Sequence, residues 1–353
     1  MKISEQWLRQ WVNPNNSSEQ LAEQLTMAGL EIDDRFAVAR AFSGVVVGEV
    51  ISVEQHPDAD KLRVTQVNIG ASEALQIVCG APNVTVGMKA PVATVGAVLP
   101  SDNGAGFEIK NGNLRGVDSN GMLCGASEID LTDSIDGLLE LPADAPIGMD
   151  IREYLALDNQ ILDISITPNR GDCFSVRGIA REISVINDLP MQQPEIPANV
   201  AATDNSATPA VTVSAVKACP RYLLQSISNI DRSIDTPKWM QDALVQSGLR
   251  SHNFLVDVTN YVLMELGQPL HAFDADTIVG DIVVRLAEPS ETITLLNEQT
   301  ITLTGDELVI ADDKGALALA GIMGGQRSSV TDSTTNIVLE SAFFNQLAIA
   351  ARA

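Results

Sequence analysis

The sequence has 353 residues and a formal net charge of −24, with 45% apolar and only 4% aromatic residues. This length predicts two or three domains whose cores are mostly aliphatic. The lack of an apolar run of 18 or more residues excludes a membrane-spanning segment, and the lack of an apolar leader predicts a cytoplasmic location. The acidic charge repels polyanions and argues against a general nucleic-acid binder. Any RNA contact must therefore be local, or be supplied mainly by another chain.

The cysteines give no sign of a metal or redox centre. They lie far apart, without the close spacing of zinc or redox motifs, at Cys79, Cys124, Cys173 and Cys219. We expect them to be free, buried, small apolar side chains.

The start of the chain predicts a small α/β domain. Ser17 and Gln20 have capping-box spacing ahead of an apolar stripe. We expect three helices in this domain, at residues 4–12, 17–29 and 174–187, the last with Phe174, Ile179, Ile183 and Ile186 inward. The third helix should pack on the first two, so that residues 1–40 and 151–190 form one domain around an insertion.

The inserted residues 41–150 predict a small closed β-barrel. Stretches at 45–53 and 62–69 have strand character, and further short strands follow with Gly or Pro between them. Several short strands within about a hundred residues are typical of such a barrel. The turn with His56, Asp58 and Asp60 lacks a second ligand cluster, so it indicates turn chemistry rather than a metal site.

The second half of the chain predicts an α+β domain at residues 210–353, after a proline-rich linker at 191–209. Its helix at 236–248 should have Thr236 as N-cap and Pro237 in the first turn. We expect its strands at residues 211–216, 222–227, 282–286, 292–296, 301–303, 307–311 and 337–341. The chain stops inside a helix predicted from residue 344, which we interpret as the sign of a fragment.

One stretch, residues 256–273, mixes core residues with polar ones. The polar side chains are Asp257, Thr259, Asn260, Glu265, Gln268 and His271. A buried polar group without a partner costs roughly 1–3 kcal/mol, so such a cluster indicates a pocket that binds a ligand. The alternative is a capped helix with Asp257 or Thr259 as N-cap and Gly267 as its stop.

Motifs along the whole sequence resemble one family, the bacterial phenylalanine–tRNA ligase β subunit. The first helices carry Trp-Leu-Arg-x-Trp-Val and Met-Ala-Gly-Leu-Glu, and the barrel carries His-Pro-Asp-Ala-Asp-Lys-Leu and Ser-Asn-Gly-Met-Leu. Thr-Pro-Asn-Arg follows the barrel. The last domain carries Asp-Val-Thr-Asn-Tyr, Gly-Gln-Pro-Leu-His-Ala-Phe, Gly-Ile-Met-Gly-Gly and Leu-Glu-Ser-Ala-Phe-Phe.

The resemblance implies an α+β multidomain fold with an inserted oligonucleotide-binding (OB) barrel and a B3/B4-type editing domain that is truncated at its C-terminal end. It also implies an α2β2 enzyme whose α subunit carries out aminoacylation with ATP and Mg²⁺. This chain has no phosphate-binding G-x-x-x-x-G-K-[ST] loop, and we expect no cofactor or metal in it. The implied partners are the α subunit and tRNA(Phe). The implied activity is hydrolysis of tyrosyl-tRNA(Phe).

The resemblance gives candidate residues for the editing pocket. Glu340 should accept a hydrogen bond from the tyrosine hydroxyl. His271 should orient the hydrolytic water or the terminal adenosine of the tRNA. Gly324 and Gly325 should bring backbone N–H groups to the ligand. Further candidates for substrate binding are Arg250, Thr259 and Asn260. In the family a further pocket segment follows the end of this chain, so the resemblance implies an editing pocket that lacks one wall here.

Each candidate has a structural alternative. Glu340 could pair with an arginine at a strand end, and His271 could bond a backbone carbonyl in the core. The glycines could form a hairpin turn. Arg250 could be a solvated surface charge, and Thr259 and Asn260 an N-cap pair.

In the barrel, the candidate RNA contacts are Lys61, Arg63, Lys110 and Arg115. Single-strand binding by such barrels usually adds aromatic stacking, and residues 44–148 contain one aromatic, Phe107. We therefore predict weak RNA binding. Two other functions stay open: a non-catalytic scaffold that positions tRNA and the α subunit, and a free-standing hydrolase of another ester, for which no nucleophile motif is present.

Overall fold

The computed structural model describes residues 1–101, 104, 106–131, 136–194 and 208–350. The chain divides into two compact units. The first comprises Met1–Asp34 and Leu162–Ala353, and the second comprises Arg35–Ile161. Within the described residues, none of the helices combines the length and apolarity needed to cross a bilayer.

The first elements of the chain are β1 (Lys2–Ser4), α1 (Glu5–Trp11), α2 (Ser18–Met27) and β2 (Glu31–Ala37). Helix α1 starts one residue later than predicted, because Ser4 is its N-cap and accepts a hydrogen bond from the Trp7 N–H. The predicted capping box of α2 is present, with Ser17 and Gln20 each bonding the other's backbone.

The second unit is built on an antiparallel sheet. Its strands are β3 (Ser43–Gln55), β4 (Arg63–Asn68), β5 (Leu75–Cys79), β6 (Lys89–Leu99), β7 (Phe107–Glu108), β8 (Gly112–Leu114), β9 (Val117–Ser119) and β10 (Gly121–Leu123). The strand order is β10-β6-β3-β4-β5, with β7 also on β6. The Asn120 N–H donates to the Gln76 carbonyl over 2.8 Å, which joins the two ends of the sheet as the predicted barrel requires.

The chain continues with α3 (Ile151–Tyr154), β11 (Gln160–Ser165) and α4 (Val176–Asn187). Strand β11 lies between β1 and β2. The core of this part joins α1, α2 and α4 as expected, through Trp7, Leu8, Leu21, Leu25, Ile179 and Ile183. Two inward positions were wrong: Phe174 precedes the helix and Ile186 lies near its end, and both are exposed.

Among the described residues, the rest of the first unit contains three α-helices and three sheets, and α6 is the longest of these helices with thirteen residues. The elements are β12 (Val211–Val213), β13 (Arg221–Ile227), α5 (Lys238–Gln246), α6 (Phe254–Leu266), β14 (Leu270–Asp274), β15 (Ile282–Leu286), β16 (Thr292–Thr294), β17 (Thr300–Thr302), β18 (Leu308–Asp312), β19 (Gly315–Leu319), β20 (Met323–Gly324), β21 (Ile337–Phe343) and the short α7 (Gln346–Ala350). The sheet orders are β12-β15-β18-β19-β20, β13-β21-β14 and β16-β17. The predicted linker at 191–209 mostly falls on residues 195–207, outside the described residues, as does the chain end at 351–353.

Thr236 and Asp257 are not the N-caps that were predicted for α5 and α6, because their side chains bond each other. Helix α6 is capped by Asn253, whose side chain accepts from the Val256 N–H, and it ends at the predicted Gly267. Asp257 instead lies buried in the first turn, where its carboxylate accepts from the hydroxyls of Thr236 and Ser251, both at 2.6 Å. Because the Thr236 hydroxyl is used in this way, Thr236 does not cap α5, which begins at Lys238 without a side-chain cap.

Candidate functional site

The candidate site forms around strand β21, the middle strand of the three-stranded sheet β13-β21-β14. Glu340 on β21 is the direct cross-strand partner of His271 on β14 and of Leu224 on β13. Directly opposite residues project from the same face, with Cβ atoms about 4.5–5.5 Å apart. The strand pairing therefore places the carboxyl and the imidazole side by side.

This face of the sheet is otherwise core. Side chains two residues apart share a face, so Val338 and Phe273, both buried in the main core of this region, lie beside Glu340 and His271. The same core includes Ile310 on β18 and Ala318 on β19. The carboxyl and the imidazole thus lie between two sheets, where polar groups need partners.

A cavity of about 500 Å³ opens at this place. Among the described residues, it is lined by Gly267, Gln268, Pro269, Leu270, His271, Ile310, Ala318, Leu319, Gly321, Ile322, Met323, Gly324, Glu340, Ala342, Phe343, Phe344, Gln346 and Ile349. The lining is mainly apolar with a few converging polar groups, which is typical of a site for a small ligand.

Glu340 is the buried acid of the cavity, with only 6% of its surface exposed. Burial raises the pKa of its carboxyl to about 7, and the hydrogen bond that it accepts from Tyr222 opposes that rise. The Tyr222 hydroxyl lies 3.0 Å from Glu340 Oε2. Glu340 forms no salt bridge with any residue that the structure describes.

His271 is held by its neighbours on both sides. Its ring meets the Phe273 ring edge-on, with centroids 4.6 Å apart, and lies directly against Gly324. Burial lowers the pKa of the imidazole, so the ring is neutral near pH 7. Its Nε2 atom is sealed from solvent and has no hydrogen-bond partner among the described residues. A neutral imidazole can donate one hydrogen bond and accept another, so this nitrogen is an unsatisfied polar group at the cavity.

The two glycines differ in their roles. Gly324 lies in β20, and a Cβ there would stand 2.6 Å from His271 Cε1, so the close approach of the imidazole requires glycine. The Gly325 N–H already donates to the Leu317 carbonyl over 2.7 Å. An oxyanion donor would therefore have to come from another group.

Comparisons with known proteins agree with this architecture. The family profile described as "Putative tRNA binding domain" matches residues 45–150, and the profile described as "B3/4 domain" matches residues 218–353. The phenylalanine–tRNA ligase beta subunit of Psychrobacter arcticus is 92% identical over this whole chain, and that of Acinetobacter baylyi is 63% identical. The chain belongs to the phenylalanine–tRNA ligase β subunit family. It spans 44% of the length of each of these two relatives.

Membership of the phenylalanine–tRNA ligase β subunit family confirms the predicted fold class, with an OB-type barrel and a B3/4 domain. A solved N-terminal fragment of the Pyrococcus horikoshii phenylalanyl-tRNA synthetase beta subunit is 12% identical, with a TM-score of 0.37. The alignment covers all of this chain and 73% of the solved fragment.

The structure brings three of the predicted pocket residues of this β-subunit chain together and leaves four outside. His271, Gly324 and Glu340 line the cavity, whereas Gly325 does not. Arg250 is exposed in the loop after α5, and Thr259 and Asn260 lie on α6, where the Thr259 hydroxyl bonds the Val256 carbonyl. None of the last three is in the cavity lining, and their roles stay predictions.

Tyr222 is the residue that sequence reasoning missed. It was predicted only as the first residue of a strand, and nothing local marks its hydroxyl as the partner of a carboxylate 118 positions later. Gln268 was noted for its polarity but had no role. Its side chain donates to the Ala342 carbonyl over 3.2 Å and helps to fix the cavity edge.

Three of the four basic candidates of the barrel contact acceptors among the described residues, and the fourth, Lys61, is exposed. Arg63 donates to the Asp60 carbonyl and Arg115 to the Asp58 carbonyl, both at 3.1 Å, so these two surround the turn after β3. Lys110 lies 3.5 Å from the Glu108 carboxylate.

One cluster of possible metal ligands occurs among the described residues, at Asp172, Cys173 and Glu182. The Arg170 guanidinium lies 3.2 Å from the Asp172 carboxylate and 3.1 Å from that of Glu182. This cluster is therefore an ion-pair network that already contains its cation. All four cysteines are free and buried, as expected.

Proposed function

We propose that this chain carries the proofreading site of a phenylalanine–tRNA ligase, which hydrolyses tyrosyl-tRNA(Phe). The complete enzyme would be an α2β2 assembly in the cytoplasm, whose α subunit carries out aminoacylation with ATP and Mg²⁺. The observation that supports the proposal is the buried carboxyl of Glu340 in a mainly apolar cavity beside a neutral imidazole.

The proposal follows from the difference between two amino acids. Tyrosine is phenylalanine with one added hydroxyl, and an apolar synthetic site rejects an added hydroxyl by only about a hundredfold. A second site selects tyrosine if it holds a buried acceptor for the phenol, because phenylalanine would leave that acceptor unpaired. Hydrogen bonds to charged groups contribute roughly 1.5–3 kcal/mol, which corresponds to about 10- to 100-fold in selectivity.

The reaction is ester hydrolysis. A water oxygen attacks the carbonyl carbon of the aminoacyl ester, the bond to the 3′-terminal ribose oxygen breaks, and the products are free tyrosine and tRNA with a free hydroxyl. In this proposal Glu340 binds the phenol, and the unpaired Nε2 of His271 holds the water or the terminal adenosine.

The test uses the complete α2β2 enzyme with tyrosyl-tRNA(Phe). Glu340→Gln should lower the rate of deacylation at least about tenfold and leave phenylalanine aminoacylation unchanged. Unchanged deacylation in this variant would support the alternative, in which the chain only positions tRNA and the α subunit. The match of residues 45–150 to a putative tRNA-binding domain favours that positioning role for the barrel in either case.

A further inference from the structure

We propose that Tyr222 is a positioning residue for Glu340, whose hydroxyl occupies one carboxylate oxygen so that the other oxygen is presented to the ligand. The inference rests on the proposed function, since it concerns the same acceptor. Tyr222 contacts Glu340 rather than the ligand, so its effect on hydrolysis would act through that carboxylate.

The strand register explains the contact. On β13, Leu224 lies directly opposite Glu340, and Tyr222 lies opposite Ala342, two residues along on the same face. A diagonal neighbour of this kind is within reach of a long aromatic side chain. The Tyr222 hydroxyl accordingly donates to Glu340 Oε2, and Oε1 is the oxygen that remains for a phenol in the cavity.

The charges around Glu340 make this one hydrogen bond important. The titratable groups that face it are Tyr222 on β13, His271 on β14 and Cys219, which precedes β13. Burial raises the pKa of the Tyr222 hydroxyl and of the Cys219 thiol and lowers the pKa of the His271 imidazole, so all three are neutral near pH 7. The described residues that line the cavity include neither lysine nor arginine.

A carboxylate without a cation nearby depends on its donors to stay ionised. Tyr222→Phe removes the donor and keeps the ring, so the packing of β13 against the core should persist. The Glu340 carboxyl would then keep its proton to a higher pH. It would become the ionised hydrogen-bond acceptor only above that pH. A residue that only filled space would change the rate equally at every pH.

The experiment measures hydrolysis of tyrosyl-tRNA(Phe) by the complete α2β2 enzyme from pH 6 to pH 9. Each variant is scored by the ratio of its rate at pH 8.5 to its rate at pH 6.5, which cancels any pH-independent difference in the concentration of active enzyme. For Tyr222→Phe we expect a ratio several-fold higher than for the wild type, with a midpoint moved up by about 0.5–1 pH unit. Since the midpoint of the wild type lies near pH 7, the same shift should lower the rate at pH 7 about two- to fivefold, mainly through KM.

The matched control is Tyr261→Phe. Tyr261 also donates its hydroxyl to a glutamate, Glu265 at 3.4 Å, but neither residue lines the cavity. For Tyr261→Phe, the ratio of the hydrolysis rates at pH 8.5 and pH 6.5 should equal that of the wild type. In a Glu340→Gln background, Tyr222→Phe should leave the ratio unchanged, because the group whose titration it shifts is gone.

The outcomes separate this inference from the proposed function. If Glu340→Gln impairs hydrolysis but Tyr222→Phe keeps the wild-type ratio, the positioning role is overturned and the proposed function stands. If Glu340→Gln hydrolyses tyrosyl-tRNA(Phe) like the wild type, the proposed function fails, and the role of Tyr222 fails with it.

Discussion

Glu340 and His271 face each other across two antiparallel strands, in a position where the same sheet otherwise projects core residues such as Val338 and Phe273. The acid has a raised pKa and the base a lowered one, both because of burial. A pair of titratable groups shifted in opposite directions within one cavity is typical of a functional site.

The first prediction concerns the pH dependence of stability. The folded chain keeps the Glu340 proton up to about pH 7, whereas an ordinary glutamate releases it near pH 4.5. Between these pH values the folded state binds more protons than the unfolded state. The contribution of Glu340 to the free energy of unfolding is therefore full below about pH 4.5 and is lost as the pH rises to 7. The loss should be on the order of 3 kcal/mol. Glu340→Gln should remove this dependence of the free energy of unfolding on pH.

The measurement is urea unfolding at several pH values for wild type and variant. Glu73→Gln, at an exposed position of the barrel unit, serves as the control and should keep the wild-type slope. A slope that is the same in all three proteins would contradict the raised pKa of the buried Glu340 carboxyl.

The second prediction concerns Gly324. Alanine there would place its methyl 2.6 Å from His271 Cε1 and 2.9 Å from Nε2, so the imidazole must move. We expect a loss of about 1–3 kcal/mol in stability and a marked fall in tyrosyl-tRNA(Phe) hydrolysis. Thermal unfolding and the deacylation assay measure the two effects. Gly171→Ala, where the added methyl meets nothing within 4 Å, is the control. Full activity of Gly324→Ala would show that the imidazole position is not important.

The third prediction concerns His271 itself. Because its ring is neutral near pH 7, His271→Ala removes a hydrogen-bonding group without changing the charge of the cavity. Hydrolysis should fall roughly five- to tenfold. The midpoint of the pH profile, which Glu340 sets, should remain where it is. His252→Ala changes an exposed histidine and should have no effect. A moved midpoint in His271→Ala would instead indicate that His271 titrates in the reaction.

Local elements of this chain were predictable because they depend on neighbouring residues. The Ser17–Gln20 capping box and the stop of α6 at Gly267 follow from short spacings. The site was predictable only in part, because β21 pairs with strands that lie far away in the sequence. Glu340 and His271 were predicted from family resemblance. The bond of the Tyr222 hydroxyl to Glu340, and the bond of the Gly325 N–H to the Leu317 carbonyl, became evident only from the strand pairing in the structure. The wrong caps at Thr236 and Asp257 had the same cause, since these two side chains bond each other.

The fourth prediction concerns the barrel. The chain carries a net charge of −24, and Arg63, Lys110 and Arg115 are already engaged with acceptors of the chain. Binding of tRNA by the chain at about 0.15 M salt should therefore be weak, with a dissociation constant in the micromolar range or above. Replacing these three and Lys61 by alanine should reduce the salt dependence of binding. A nanomolar constant in fluorescence anisotropy would contradict the charge argument.

The central claim is that an acidic acceptor in the cavity distinguishes tyrosine from phenylalanine. The most direct measurement is the ratio of the hydrolysis rates of tyrosyl-tRNA(Phe) and phenylalanyl-tRNA(Phe), in wild type and in Glu340→Gln. We expect the wild-type enzyme to prefer the tyrosyl substrate by at least about tenfold, and the variant to lose most of that preference. A ratio that is the same in both enzymes would contradict the claim.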